Sequence, residues 1–281
     1  MNNRSGILLA LGPKKKELIL KALKVVDIVF EIIDARCPES SRSPAIEQLV
    51  KNKRRFLVLN KADLADPDAT ARWLKYYRKA GVTVAAVDSQ RGEGFEELWK
   101  DLEIYEEEIR HQLLKKGRRE RELRAAVVGI PNTGKSSFLN RLVGRKTTAT
   151  GDRPGITKGP QWVHSKGRIS VLDTPGVLPP SVKREELFKL VLIGAVDYDS
   201  CDLVECGEKI LEFLKERYPE SIQKALGISE LQALNLAVVA EAKNFLLPEG
   251  TPDLNRTAVF LLKQLRLGRL GRITYELPSL E

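Results

Sequence analysis

Histidine and cysteine are scarce in this chain: two of the first and three of the second among 281 residues. Cys37, Cys201 and Cys206 are odd in number, and no further Cys or His follows the Cys201-xxxx-Cys206 pair to complete a metal site. A disulfide scaffold and a zinc centre are therefore not expected, and reduced thiols are. Long apolar runs are missing too, with none near the roughly 20 residues that span a bilayer. The early "GILLALG" is followed by Pro13 and three lysines rather than by small residues. A cleavable secretory signal is not expected there; a short organellar presequence is the alternative. Internal repeats and low-complexity tracts are also absent. What remains is a cytoplasmic, monomeric protein with no membrane partner as the expectation.

The composition is that of an ordinary globular chain, 42% hydrophobic and 30% charged, long enough for one large domain or two smaller ones. Its net charge of +9 is unevenly spread. Residues 1–180 carry 34 Lys and Arg against 22 Asp and Glu, whereas residues 181–281 carry 13 against 16. The excess is densest at "KKGRRERELR" (115–124) and at Lys14 to Lys16. Such a surface suits a polyanion such as RNA, and it equally suits a plainly solvated face.

Five β-branched runs read as buried strands: 25–33, 56–60, 82–87, 125–130 and 169–173. Their apolar character is nearly continuous, as in parallel strands covered on both faces. Helical patterns lie between them at 66–81 and 94–117, the first opening on Asp-Pro and closing on Gly. This alternation predicts an α/β fold with a mostly parallel sheet. After residue 180 helical periodicity takes over, at 208–220, 228–246 and 253–268, so a small all-α domain over 181–281 is expected after an α/β domain over 1–180.

Four short runs carry the chemistry. "GIPNTGKSS" (129–137) fits G-x-x-x-x-G-K-[ST], between a strand and a helical pattern. Gly129 and Gly134 let backbone N–H groups of Asn132, Thr133, Gly134 and the following turn approach phosphate oxygens. Lys135 adds a positive charge at the β and γ phosphates, and Ser136, followed by Ser137, offers a hydroxyl to Mg²⁺. In "VLDTPG" (171–176) Asp173 ends a strand, where a carboxylate can hold Mg²⁺, and Gly176 can present its N–H to a γ-phosphate. Between them, "GDRPGITKG" (151–159) offers Thr157 as a further Mg²⁺ ligand in a loop that orders on nucleotide binding, or is simply a polar loop. "NKAD" (60–63) ends another apolar strand. Asp63 can accept two hydrogen bonds from guanine N1–H and its exocyclic amine, a donor pair that adenine lacks. Asn60 can tie this loop to the cradle, the stem of Lys61 can cover the ring, and Ser89 of "VDSQ" (87–90) is a candidate beside the base O6. Asn132 is either a ligand for K⁺ or a turn residue. The catalytic set read from these runs is Lys135, Thr157 and Gly176.

The base reader precedes the phosphate cradle in the chain, the reverse of the usual order. In this arrangement, and in "VVDIVFEIIDARCPESSRSP" (25–44), "TGDRPGITKGPQW" (150–162), "LDTPGVLPP" (172–180) and "LRLGRLGRITYELP" (265–278), the chain resembles the circularly permuted GTPases of the YlqF/RbgA family. The resemblance covers nearly the whole chain. It implies a P-loop GTPase domain in permuted order, GTP or GDP with Mg²⁺, and a role in large ribosomal subunit assembly, with a helical domain that contacts rRNA. RNA contacts would come from Lys115, Lys116, Arg118 and Arg119 and from Lys263, Arg266 and Arg269. The family also carries an aromatic-Pro-Gly-His-Met run whose His is proposed to position water. Here Leu11 falls in that place, and Val177 follows the D-x-x-G run. Weak intrinsic hydrolysis, stimulated by the ribosomal subunit, is the expectation. The alternatives are a nucleotide-dependent scaffold with negligible hydrolysis and a GTPase acting on tRNA or another protein. His111 and His164 read as surface residues, with a catalytic role the alternative for His164.

Overall fold

The computed structural model describes residues 23–144, 161–165, 169–174, 184–228 and 230–279. The readings at Leu11, Lys14 to Lys16, Thr157, Gly176 and Val177 lie outside them.

Among the described residues the sheet has six strands: β1 (Ile28–Asp34), β2 (Arg54–Asn60), β3 (Thr83–Val87), β4 (Leu123–Val128), β5 (Gln161–His164) and β6 (Ile169–Asp173), in the order β3-β2-β1-β4-β6-β5. All neighbours are parallel except β5, which runs antiparallel to β6 at the edge. Every residue of β1 is buried, Glu31 and Asp34 included, as befits a central strand with both faces covered. Ile28, Phe30 and Ile32 face one layer, with Leu98 and Leu102 of helix α3 (Phe95–Lys115) and Phe138 of α4 (Lys135–Val143). On the opposite face Val29 packs with Ile46 of α1 (Pro44–Val50), and Ile33 with Trp73 and Tyr77 of α2 (Pro67–Lys79). Strand β5 carries no clear apolar run and is absent from the sequence reading; three of its four residues are exposed.

Helix starts follow capping chemistry. Asp66 accepts hydrogen bonds from the N–H groups of Asp68 and Ala69, and Pro67 occupies the first turn, where its missing N–H costs nothing. The helical region holds α5 (Arg184–Leu192), α6 (Leu203–Arg217), α7 (Pro219–Leu226), α8 (Leu236–Ala242) and α9 (Leu254–Arg266). The expected helix at 208–220 differs in extent. Asp202 caps it at its start, and Pro219 cannot continue it, so a new helix begins there instead. The pattern at 228–246 yields helix only over 236–242, where Asn235 caps Val238. Gly207 lets α6 and α9 approach closely: a Cβ there would lie 2.9 Å from a Leu236 methyl and 3.0 Å from Ala258 Cβ. Val191, Leu211, Leu214, Leu236, Leu261 and Leu265 contribute to the core of this region. Cys37 and Ile130 of the sheet layer meet Leu190 and Ile193, so the two regions share an apolar seam.

Candidate functional site

The C-terminal ends of β1, β2, β3 and β4 open onto one cavity of about 650 Å³, within the size range of small-molecule sites. Its lining brings together Asn60, Lys61 and Asp63 from the loop after β2, Ser89 after β3, and Asn132, Gly134 and Ser137 of the cradle. Residues more than seventy positions apart in the chain thus face one space.

The link between base loop and cradle is made by side chains. Asn60, 2% exposed, donates through Nδ2 to the carbonyl of Thr133 (2.8 Å) and accepts the Ser89 hydroxyl at Oδ1 (2.7 Å). Lys61, in the left-handed region at φ 59°, reaches the Asn132 carbonyl with Nζ (2.5 Å). The tight fit explains Gly134: a Cβ there would sit 2.2 Å from Asn60 Nδ2, and its φ is +87°. At Gly129 a Cβ would lie 2.4 Å from the Ile32 carbonyl oxygen. Ser89, read as a neighbour of the base, lines the cavity, but its hydroxyl is engaged in holding Asn60.

Lys135 is buried and donates to the Ile130 carbonyl (2.7 Å), while Thr133 donates its hydroxyl to the same oxygen (3.1 Å). Burial pushes the Lys135 ammonium down to about 8, with Lys61 adding to the fall and Asp173 opposing it. Asp173 is buried at the end of β6, in register with Val127. Ser136 lies in the first turn of α4. A serine hydroxyl and a carboxylate are oxygen donors suited to a hard cation such as Mg²⁺. Among the described residues no cluster of three His, Cys, Asp or Glu could hold a metal unaided. An ion here would take its other ligands from phosphate and water, as Mg²⁺ at phosphate sites does. Asp63 is raised from its ordinary value by burial and by the neighbouring Asp88.

Two features escaped the sequence reading. First, Asp34 and Arg36 form a bidentate pair at the end of β1, with Nε–Oδ1 at 2.9 Å and Nη2–Oδ2 at 2.8 Å. Burial alone would raise the Asp34 carboxyl, but Arg36 and then Lys61, whose Nζ is 3.2 Å away, hold it well below the usual carboxylate range. The only signal for this was a charge pair closing an apolar run. Second, the helical region supplies a wall of the cavity through Ile193, Gly194, Lys263, Arg266 and Leu267. Asn132 donates its Nδ2 to the Gly194 carbonyl (2.6 Å), so it faces the helical region rather than solvent. Lys263 and Arg266, read as RNA contacts, stand at the cavity, and Arg266 also donates to the Val191 carbonyl (2.5 Å). Arg269 and the cations at the end of α3 and just after it (Lys115, Lys116, Arg118, Arg119) are exposed. His164 lies on edge strand β5, its Nδ1 2.8 Å from Ser170 Oγ, at the end of β6 opposite Asp173.

Residues 124–223 match the family model described as "50S ribosome-binding GTPase". The chain is 35% identical over 271 residues to a ribosome biogenesis GTPase A of Priestia megaterium, covering 95% of this chain and 94% of that one. The GDP-bound structure of Thermotoga maritima YlqF superposes with a TM-score of 0.64 at 27% identity, covering 92% of this chain and 98% of that chain. The GNP-bound structure of YlqF from the same organism gives 0.63 at 28% identity, covering 95% and 99%.

Proposed function

Since the chain belongs to the ribosome biogenesis GTPase A family and is a GTPase with a circularly permuted P-loop domain, we propose that it assembles the large ribosomal subunit, binding rRNA in its GTP form and leaving after hydrolysis. The cytoplasm is its place of action, it works as a monomer, and it divides into a GTPase domain (1–180) and a helical domain (181–281). None of the described helices is long and apolar enough to cross a membrane.

One observation carries the assignment of the site. Asn60 hydrogen-bonds directly to the cradle backbone at Thr133, so the Asp63 carboxylate and the phosphate cradle are spaced as one unit for one nucleotide. Asp63 reads guanine, Lys61 covers the ring, and Ser89 keeps Asn60 aligned. The cradle from Asn132 to Ser137 takes the phosphates, and Lys135 neutralises charge at the β and γ positions. Ser136, Asp173 and Thr157 would hold Mg²⁺, which would offset negative charge on the phosphates. Gly176 senses the γ-phosphate. Asn132 would ligate K⁺, which would offset negative charge on the phosphates. With Val177 and Leu11 in place of acid–base groups, turnover is slow until the subunit is bound. The exposed cations at the end of α3 and just after it, with Arg269, supply phosphate contacts.

Co-sedimentation with separated ribosomal subunits tests this, in GTP analogue, GDP or no nucleotide, with released phosphate measured in K⁺ and in Na⁺. The expected result is pelleting with the large subunit in the analogue, weakened steeply by salt, and faster release in K⁺. Pelleting that ignores the nucleotide would overturn the switch, and equal rates in the two salts would remove the K⁺ site.

A further inference from the structure

Beyond α9, the chain crosses the outer side of the base-reading loop and hydrogen-bonds it residue by residue. Arg272 donates Nε to the Ala65 carbonyl (2.8 Å) and Nη2 to the Ala62 carbonyl (2.9 Å). The N–H of Ile273 donates to the Leu64 carbonyl (3.0 Å), and the N–H of Asp66 donates to Thr274 Oγ1 (3.0 Å). Four of the five residues 62–66 therefore give a backbone group to this tail. The fifth, Asp63, lines the cavity. Gly268 lies against the same loop, where a Cβ would come within 2.7 Å of a Leu64 methyl.

The tail is itself anchored elsewhere. The N–H of Tyr275 donates to the Arg36 carbonyl (2.8 Å), and Trp73 Nε1 donates to the Glu276 carbonyl (2.9 Å). The buried Glu276 carboxylate accepts the N–H of Glu39 (2.8 Å) and the Ser40 hydroxyl, and lies 3.0 Å from Lys189 Nζ. A short loop that includes a non-glycine residue at positive φ, Lys61, needs such outside support to keep one conformation. A carboxylate that must meet two donors at once tolerates little displacement.

We propose that the C-terminal tail, chiefly through Arg272, positions the Asp63 loop and so sets both affinity and selectivity for guanine. Arg272 is a positioning residue, acting through Asp63 without touching the base. A partner that draws the helical region away from the sheet then loosens the grip on the base. This rests on the reading of the cavity as the guanine site.

The test compares GDP with IDP, whose inosine lacks the exocyclic amine and so uses only one of the two hydrogen bonds to Asp63. In full-length Arg272→Ala, GDP binding should weaken about tenfold, which is about 1.4 kcal/mol, and IDP binding by a clearly smaller factor. The GDP-to-IDP ratio should therefore narrow. Arg272→Lys keeps the charge but loses the planar two-pronged fork, and should fall between. It also serves if the alanine variant does not fold. Equal weakening of both nucleotides, or no weakening in either variant, would overturn the positioning role. A wild-type protein that binds GDP no better than IDP would instead overturn the assignment of the cavity.

Discussion

Replacing Asn60 with alanine separates the two halves of the nucleotide site without touching the phosphates or the base. The truncation deletes two hydrogen bonds of 2.8 and 2.7 Å, each worth about 1 kcal/mol net. Because it strands a buried carbonyl at Thr133 and a buried hydroxyl at Ser89, the cost of each group left unsatisfied, about 1–3 kcal/mol, replaces that net value. The adjoining cavity admits water that can satisfy part of this need, so the lower end applies and the total is roughly 2–3 kcal/mol. Differential scanning calorimetry should then show a melting temperature lower by roughly 5–10 °C. GDP affinity should fall at least about tenfold, since loop and cradle no longer hold a common spacing. Ser89→Ala alone should cost about 1 kcal/mol, and the double variant should cost less than the two singles combined, because both remove the same bond. Strict additivity, or an Asn60→Ala protein with unchanged melting and unchanged affinity, would refute the view that this side chain joins the two halves.

The Lys135 ammonium, held at about 8 by burial, should be driven up by bound phosphates. Binding of GDP should therefore take up a proton at pH 9 and take up little at pH 7, where Lys135 is already charged; calorimetry in buffers of different ionisation enthalpy reads this directly. Asp34→Ala should cost about 3–5 kcal/mol by leaving the buried Arg36 without its counter-charge, seen as a lower urea midpoint, with Asp34→Asn costing less. Because the Asp34 carboxyl is depressed from 3.8, its contribution is complete above that pH and is lost as pH falls further, so the gap between wild type and Asp34→Asn should close in acid.

Much of this protein was written locally. Continuous apolar runs announced β1, β2, β3, β4 and β6, because a strand buried on both faces needs no alternation. The cradle and the N-K-x-D loop were legible because each is a contiguous run whose residue types follow from phosphate and guanine chemistry, and their inverted order was visible in the chain itself. The edge strand β5 was not legible, since an exposed strand of four residues has no apolar pattern.

Other features existed only once the chain had folded. The meeting of Asn60 with Thr133 spans 73 positions, and that of Arg272 with Ala62 spans 210. Nothing in the sequence put Asn132 beside the Gly194 carbonyl, to which it donates. That Lys263 and Arg266 stand at the cavity became visible only with α9 laid against it. Hydrogen bonds to backbone groups demand no particular partner sequence, so they leave no periodicity and no spacing to read. The residues that recognise a nucleotide could thus be named from the sequence, while those that hold them in place were decided by the packing of the helical region against the sheet.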